Sequence, residues 1–105
     1  MRDDPRMEYL QFESSEGGAG EVAFDAMAST RDAQHEAVMA EVRAVLDWCR
    51  GRAPGGEGPV DEGFDWHHEL QVHDEAGGWR TVSLTVVASA RFAPDFADEF
   101  LPRDD

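Results

Sequence analysis

The spacing of apolar residues changes twice along this 105-residue chain, and no other feature constrains the fold as strongly. Apolar and polar residues alternate in VAFDAMA (residues 22–28), apolar residues recur at helical spacing over residues 29–52, and alternation returns between residues 64 and 92. Alternation is typical of a half-buried strand, and recurrence every three or four residues is typical of an amphipathic helix. With EYLQF (residues 8–12) as the first strand, the pattern predicts β-β-α-β-β, an α+β fold with one long helix on one face of a four-stranded sheet.

The apolar residues predicted to face the helix have even numbers in all four strands. They are Leu10, Phe12, Val22, Phe24, Ala26, Ala28, Phe64, Trp66, Leu70, Val72, Val82, Leu84, Val86, Ala88, Ala90 and Phe92, together with His68. Directly opposed residues of an antiparallel hairpin share a face, so each hairpin loop must contain an odd number of residues. Residues 73–79 (HDEAGGW) therefore favour a loop of three or five residues with glycine at positive φ, and the sheet is expected to be mostly antiparallel.

One long helix is predicted between the two hairpins, over residues 29–52. Ser29 and Thr30 are the candidates for its N-terminal cap. The segment APGGEGPVDEG (residues 53–63) favours neither helix nor strand and predicts a long connection. Pro94 suits the first turn of a short C-terminal helix. Leu84 and Val86 are expected at the centre of the core, opposite two apolar residues of the long helix, Val42 and Leu46.

The strand order expected from these segments is 2-1-4-3, because the last strand is the longest and most apolar and should be central. The orders 1-2-4-3 and 2-1-3-4 are open alternatives. This order of elements resembles that of the β-grasp domains. The resemblance rests on element order alone, with no shared motif, so it implies a fold and no activity.

The length corresponds to a single domain, expected over residues 7–101, with disordered charged tails at residues 1–6 and 102–105. No stretch reaches the ~18 consecutive apolar residues of a membrane span, and the N-terminal residues lack the pattern of a signal peptide. Cys49 is the lone cysteine, so no internal disulfide can form. Together these features predict a cytoplasmic protein that does not bind membranes.

The charge of the chain is strongly negative. Nine basic residues, all of them arginine, stand against 23 acidic ones, which gives a net charge of −14. Such a field repels the phosphate backbone of nucleic acids, so a nucleic-acid partner is not expected. The charge would instead favour a basic protein partner, or simply solubility, and a second copy of the chain is a further possible partner.

Three of the four histidines lie in FDWHHELQVHD (residues 64–74). Asp65, His67 and Glu69 are predicted to share one strand face at successive spacings of roughly 6.5–7 Å. Carboxylate and imidazole groups suit zinc or manganese, so these three residues are a candidate metal site. The matching face of the neighbouring strand offers only hydroxyl groups, which are poor ligands. We therefore expect a polar outer face with no metal and no cofactor.

His68 is predicted on the helix-facing side of its strand, and His35 lies on the apolar stripe of the helix. If the two imidazoles met where the helix starts over the sheet, they would form a coupled pair and a candidate active site. The alternative is that each lies at the margin of the core with one nitrogen hydrogen-bonded. Cys49 is about 21 Å from His35 along the helix, so it cannot pair with it and is expected to be inert.

Most outward-facing strand residues are polar, but Tyr9, Ala23, Met27 and Val87 are not. If the first and last strands are neighbours, Tyr9 and Val87 lie close together with Met27 one strand away, and these three form a small apolar patch, which we predict to be a partner-binding surface. The alternative is that the C-terminal helix covers it. The function expected is a non-enzymatic acidic module that binds another protein or itself. The alternative is a small metal- or histidine-dependent enzyme that uses His35 and His68, or Asp65 with its two neighbours on the strand.

Overall fold

The computed structural model describes residues 8–101, which follow the predicted order of elements. The elements are β1 (Glu13–Glu16), β2 (Val22–Arg31), α1 (Asp32–Arg52), a 3-10 turn (Val60–Glu62), β3 (Trp66–Glu75), β4 (Trp79–Ala88) and α2 (Ala93–Phe100). The α+β class, the long helix and the short C-terminal helix are confirmed. The tails expected at residues 1–6 and 102–105 lie outside the described residues.

The four strands form one antiparallel sheet in the order β1-β2-β4-β3. The predicted order 2-1-4-3 is therefore wrong, and the alternative 1-2-4-3 is the one observed. β4 is central, as expected, but its inner neighbour is β2 and not β1. The reason is length: β1 has four residues, all exposed, whereas β2 and β4 pair over ten residues each. The resemblance to β-grasp domains ends at the order of elements along the chain.

The first predicted strand is misplaced. Leu10 and Phe12 are buried in the core, but they precede β1, which occupies ESSE (Glu13–Glu16), just after the strand expected over residues 8–12. The carboxylate of Glu41, in the middle of α1, accepts the backbone N–H groups of Glu8 at 2.7 Å, Tyr9 at 3.1 Å and Leu10 at 2.9 Å. A side chain of the helix thus takes the place of a strand partner for these donors.

Both hairpin loops contain an odd number of residues, as the even numbering of the inward positions requires. Five residues separate Glu16 from its partner Val22, and three separate Glu75 from its partner Trp79. The shorter loop places Gly77 at φ 84° and Gly78 at φ 81°. These left-handed values favour glycine because a Cβ would be strained there.

α1 begins at Asp32, immediately after β2 ends at Arg31. The cap predicted at Ser29 or Thr30 is wrong, because both residues belong to β2. Pairing between β2 and β4 continues to the last residue of β2 and keeps this segment extended. α1 packs over the two central strands, and its buried residues are Val38, Val42, Val45, Leu46 and Cys49.

α2 packs on the same side of the sheet as α1, through a cluster of aromatic rings. Phe96 is at the centre: its ring centroid lies 4.5 Å from that of Phe24 in β2, 5.3 Å from that of Phe12 and 6.0 Å from that of Trp48 in α1. Pro94 lies in the first turn, as predicted. Since Phe24 faces the core, α2 fills the helix side of the sheet and does not cover its outer face.

The long connection after α1 is tied to the start of β3. Gly58 donates its N–H to the carbonyl of Trp66 at 2.8 Å, and Glu57 forms a parallel bridge with the same residue. The prediction that this segment contains no helix is wrong for the 3-10 turn at Val60–Glu62. The turn ends at Gly63, whose φ of 102° again favours glycine.

Leu84 and Leu70 provide a matched test of this architecture, because they are directly opposed in β4 and β3. Leu84 is 0% exposed and Leu70 is 36% exposed. Leu84→Ala should lower the free energy of unfolding by about 2–5 kcal/mol, and Leu70→Ala by about 1 kcal/mol or less. Urea unfolding of the two variants measures both values. Equal losses would contradict the placement of α1 over β4.

Candidate functional site

Asp65 is not on the outer face, where the alternation predicted it. Its side chain is 1% exposed and lies just before β3. Its carboxylate accepts the N–H of Gly55 at 2.7 Å and the Nε–H of Arg91 at 2.6 Å, with the hydroxyl of Ser89 at 3.4 Å. Asp65 therefore joins the connection after α1 to the segment that leads into α2. Its oxygens serve the fold and are not presented to a ligand.

His67 and Glu69 do share the outer face of β3, opposite Val87 and Thr85 of β4. With Asp65 turned inward, the three residues considered as a candidate metal site do not come together. Within residues 8–101 no group of three or more histidine, cysteine or carboxylate side chains is arranged to hold a metal ion. The interpretation of this face as polar strand surface agrees with the geometry.

His35 and His68 are at opposite ends of the sheet. α1 starts beside the end of β3, whereas His68 is opposite Val86, seven residues or roughly 23 Å back along the strand. His68 Nδ1 is 2.6 Å from a carboxylate oxygen of Glu57, and its ring stacks on Trp66 at 5.9 Å. His35 Nδ1 is buried and has no hydrogen-bond partner among the described residues. The two imidazoles do not form the pair considered as an alternative, and an enzymatic role for either stays a hypothesis.

Tyr9, Met27 and Val87 do not form one patch. The backbone N–H of Tyr9 donates a hydrogen bond to the carboxylate of Glu41 in α1, and its side chain packs against the core. Met27 is 65% exposed and Val87 is half-buried, but the register separates them by four residues, or about 13 Å along the sheet. They line two different depressions, of about 480 Å³ at Val87 and about 470 Å³ at Met27. Partner binding by these residues stays a prediction, without the contiguous surface on which it was based.

Cys49 is fully buried in α1. Burial is the main cause that raises the pKa of its thiol from 9.0 to about 12, and the nearby carboxylate of Glu57 adds to the effect. The thiolate is the nucleophilic form of cysteine, so at neutral pH this side chain is a neutral thiol and a poor nucleophile.

The outer edge of β3 is the most distinctive surface of the molecule. On the β4 side, the carbonyl of Asp65 accepts the N–H of Ser89 at 2.8 Å; on the opposite side, the carbonyl of Trp66 accepts the N–H of Gly58 at 2.8 Å. Peptide groups of a strand point alternately to its two sides, so every second residue after Trp66 points away from β4. These residues are His68, Leu70, Val72 and Asp74. No strand within residues 8–101 pairs with this side of β3.

Two apolar side chains lie along the same edge. Leu70 and Val72 are on the helix side of the sheet, yet they are 36% and 45% exposed, whereas their partners Leu84 and Val82 in β4 are 0% exposed. The main contacts of α1 with the sheet are those with β2 and β4. We call the segment from His68 to Asp74 the open edge.

The sequence contains only part of the signal for this site. Alternation placed Leu70 and Val72 on the helix side, which is correct. It could not show that they are uncovered, because that depends on which strand lies at the edge and on the width of one helix. The sequence of β3 contains neither glycine nor proline, which is typical of a long regular strand. It predicts an open edge only if the strand order, which places β3 at the edge, is also known.

No family model, no curated protein and no solved structure matches the chain. Among the helices of the described residues, none has the length and apolar character needed to cross a membrane. The site must therefore be interpreted from its own geometry.

Gly55 offers a test of the role of Asp65. A Cβ at this position would lie 2.7 Å from Cγ of the buried carboxylate, so Gly55→Ala should lower the free energy of unfolding by roughly 1–3 kcal/mol. Gly51→Ala is the control, because Gly51 is in α1 with open space around it. That variant should gain about 0.5–1 kcal/mol from helix propensity. Urea unfolding that gave the same change for both would contradict the assigned role.

The raised pKa of Cys49 predicts a loss of stability in alkali. A group whose pKa is higher in the folded state stabilises the fold fully below its unfolded pKa, here 9.0, and this contribution is lost as pH rises through about 12. The free energy of unfolding should fall by up to about 4 kcal/mol over this range. Cys49→Ala should show a shallower fall. Equal slopes for the two proteins would contradict the prediction.

Proposed function

We propose that this protein is an interaction module that binds an extended polypeptide along the open edge of β3. The observation that carries the proposal is that four alternate residues along this edge point their peptide groups outward, and that two of them, Leu70 and Val72, also have exposed apolar side chains. Addition of a strand to a sheet edge is a recurrent mode of peptide recognition, in which backbone hydrogen bonds give affinity and side-chain contacts give selectivity.

The backbone of the open edge supports this mode. Natural sheets usually blunt a long edge strand with proline, charged side chains, a bulge or a covering segment. β3 has ten residues, no proline, no bulge and an uninterrupted register with β4, and its charged residues are the carboxylates Glu69, Asp74 and Glu75. At its start, Trp66 is covered by the bridge to Glu57, and the side chain of His68 is bonded to the same glutamate.

The side chains of the open edge favour a ligand with apolar residues at alternate positions. Leu70 and Val72 are 36% and 45% exposed on the helix side, where the incoming strand would place every second side chain. Burial of this surface would contribute about 25 cal/mol per Å² of apolar area removed from water.

Charge and compartment narrow the class of partner. The net charge of −14 argues against a nucleic acid, and the outward-pointing peptide groups fit a polypeptide. A cytoplasmic location is part of the proposal, supported by a single cysteine that is free and buried.

Val72→Pro tests the proposal at the backbone. The N–H of Val72 points away from β4, so its removal breaks no bond within the sheet but blocks the open edge. Val72→Thr is the matched control, because it keeps the N–H and the branched Cβ. In pull-downs from native lysate, wild type and Val72→Thr should retain the same partner and Val72→Pro should lose it.

Circular dichroism and thermal unfolding of both variants would show that each is folded. A partner retained equally by Val72→Pro and Val72→Thr would place binding elsewhere on the molecule and contradict the proposal.

A further inference from the structure

We infer that the open edge pairs with the open edge of a second copy of this chain, antiparallel and with the two-fold axis at Gln71. The inference rests on the proposed function and identifies the polypeptide bound at the open edge as a second copy of the chain. It would join two four-stranded sheets into one sheet of eight strands, with both α1 helices on the same side. Three independent features of β3 select this register.

The first feature is the backbone. With the axis at Gln71, His68 pairs with Asp74 of the second copy and Leu70 pairs with Val72. All four outward-pointing residues of each copy then form hydrogen-bonded pairs, each of which exchanges two bonds. With the axis at Leu70, one of the required partners is Trp66, whose carbonyl is already bonded to Gly58.

The second feature is the charge pattern on the outer face. With the axis at Gln71, Glu69 faces His73 of the second copy and His67 faces Glu75. An imidazole donates a hydrogen bond to a carboxylate whether or not it is protonated, and protonation adds an ion pair. Each of these cross-strand contacts occurs twice by symmetry.

Neighbouring registers lose this complementarity. With the axis at Leu70, His67 faces His73 of the second copy, and with the axis at Val72, Glu69 faces Glu75. Like groups directly opposed across two strands destabilise the pair. The arrangement at Gln71 is thus selected against its two nearest alternatives by the same side chains.

The third feature is apolar. In the register at Gln71, Leu70 and Val72 of the two copies lie side by side, so four exposed apolar side chains form one strip on the helix side of the joined sheet. Each copy has a net charge of −14, so two copies repel each other, but this repulsion is screened over about 8 Å at physiological salt. The apolar contacts in the strip are direct and are not screened. Pairing would therefore account for the apolar residues that are left uncovered at this edge.

A charge exchange tests the register. Glu69→His alone would oppose two imidazoles, and His73→Glu alone would oppose two carboxylates, at two places in the pair. In sedimentation equilibrium, each single variant of the full chain should raise the dimer dissociation constant about tenfold. The double variant E69H/H73E restores opposite groups at both places and should return the constant to within about threefold of wild type.

Cross-linking provides a second readout. Gln71→Cys places two thiols directly across the axis, so mild oxidation should give a covalent dimer. His73→Cys is the matched control: position 73 faces position 69 of the second copy, so it should remain unlinked under the same conditions. Cys49 is buried and does not interfere.

The outcomes separate this inference from the proposed function. A wild-type protein that is monomeric at every concentration, or a double variant as weak as the singles, would overturn self-pairing. If Val72→Pro still lost a partner from lysate, the interaction module would stand with a different occupant. If the dimer formed and survived Val72→Pro at full strength, pairing through the open edge would be wrong.

Discussion

A single helix is too narrow to cover a four-stranded sheet, and most of this structure follows from that mismatch. Strands about 4.8 Å apart give a sheet face of roughly 19 Å, whereas a helix with its side chains is about 10 Å across. α1 lies over the two central strands. On the β1 side, Phe12 and the rings of α2 complete the cover. On the β3 side nothing within the described residues does so beyond Trp66, and apolar side chains that alternation assigns to the interior remain in contact with water.

The parts of the fold that the sequence could predict are those set by local periodicity. Even numbering of inward residues determined the faces of the strands and the odd length of both loops, because these depend only on a period of two. The strand order could not be derived in this way. Two hairpins with equivalent apolar faces can associate through either of their strands, and the choice depended on β1 being only four residues long.

Long-range polar contacts were equally hidden from the sequence. Alternation put Asp65 on the outer face, but its partners Gly55 and Arg91 are 10 and 26 residues away along the chain. Only the folded chain brings them together. Whether His35 and His68 pair could not be decided from the sequence for a related reason: both are on apolar faces, but periodicity does not give their position along the sheet. The sequence could therefore predict which residues of the candidate site lie on the helix side of the sheet, but it could not predict that they are exposed.

The carboxylate of Glu41 has a consequence for how far assembly can proceed. The carboxylate accepts the backbone N–H groups of residues 8–10 and so holds this segment against α1. Because these N–H groups are not available to a strand partner, β1 does not extend toward the N-terminus. The sheet thus has one short edge of four residues and one long edge of ten. Filament growth by strand addition requires two usable edges on every subunit, so that each can recruit the next. A subunit with only one such edge terminates growth at the first encounter, and a long exposed strand can then persist in a chain without leading to fibres.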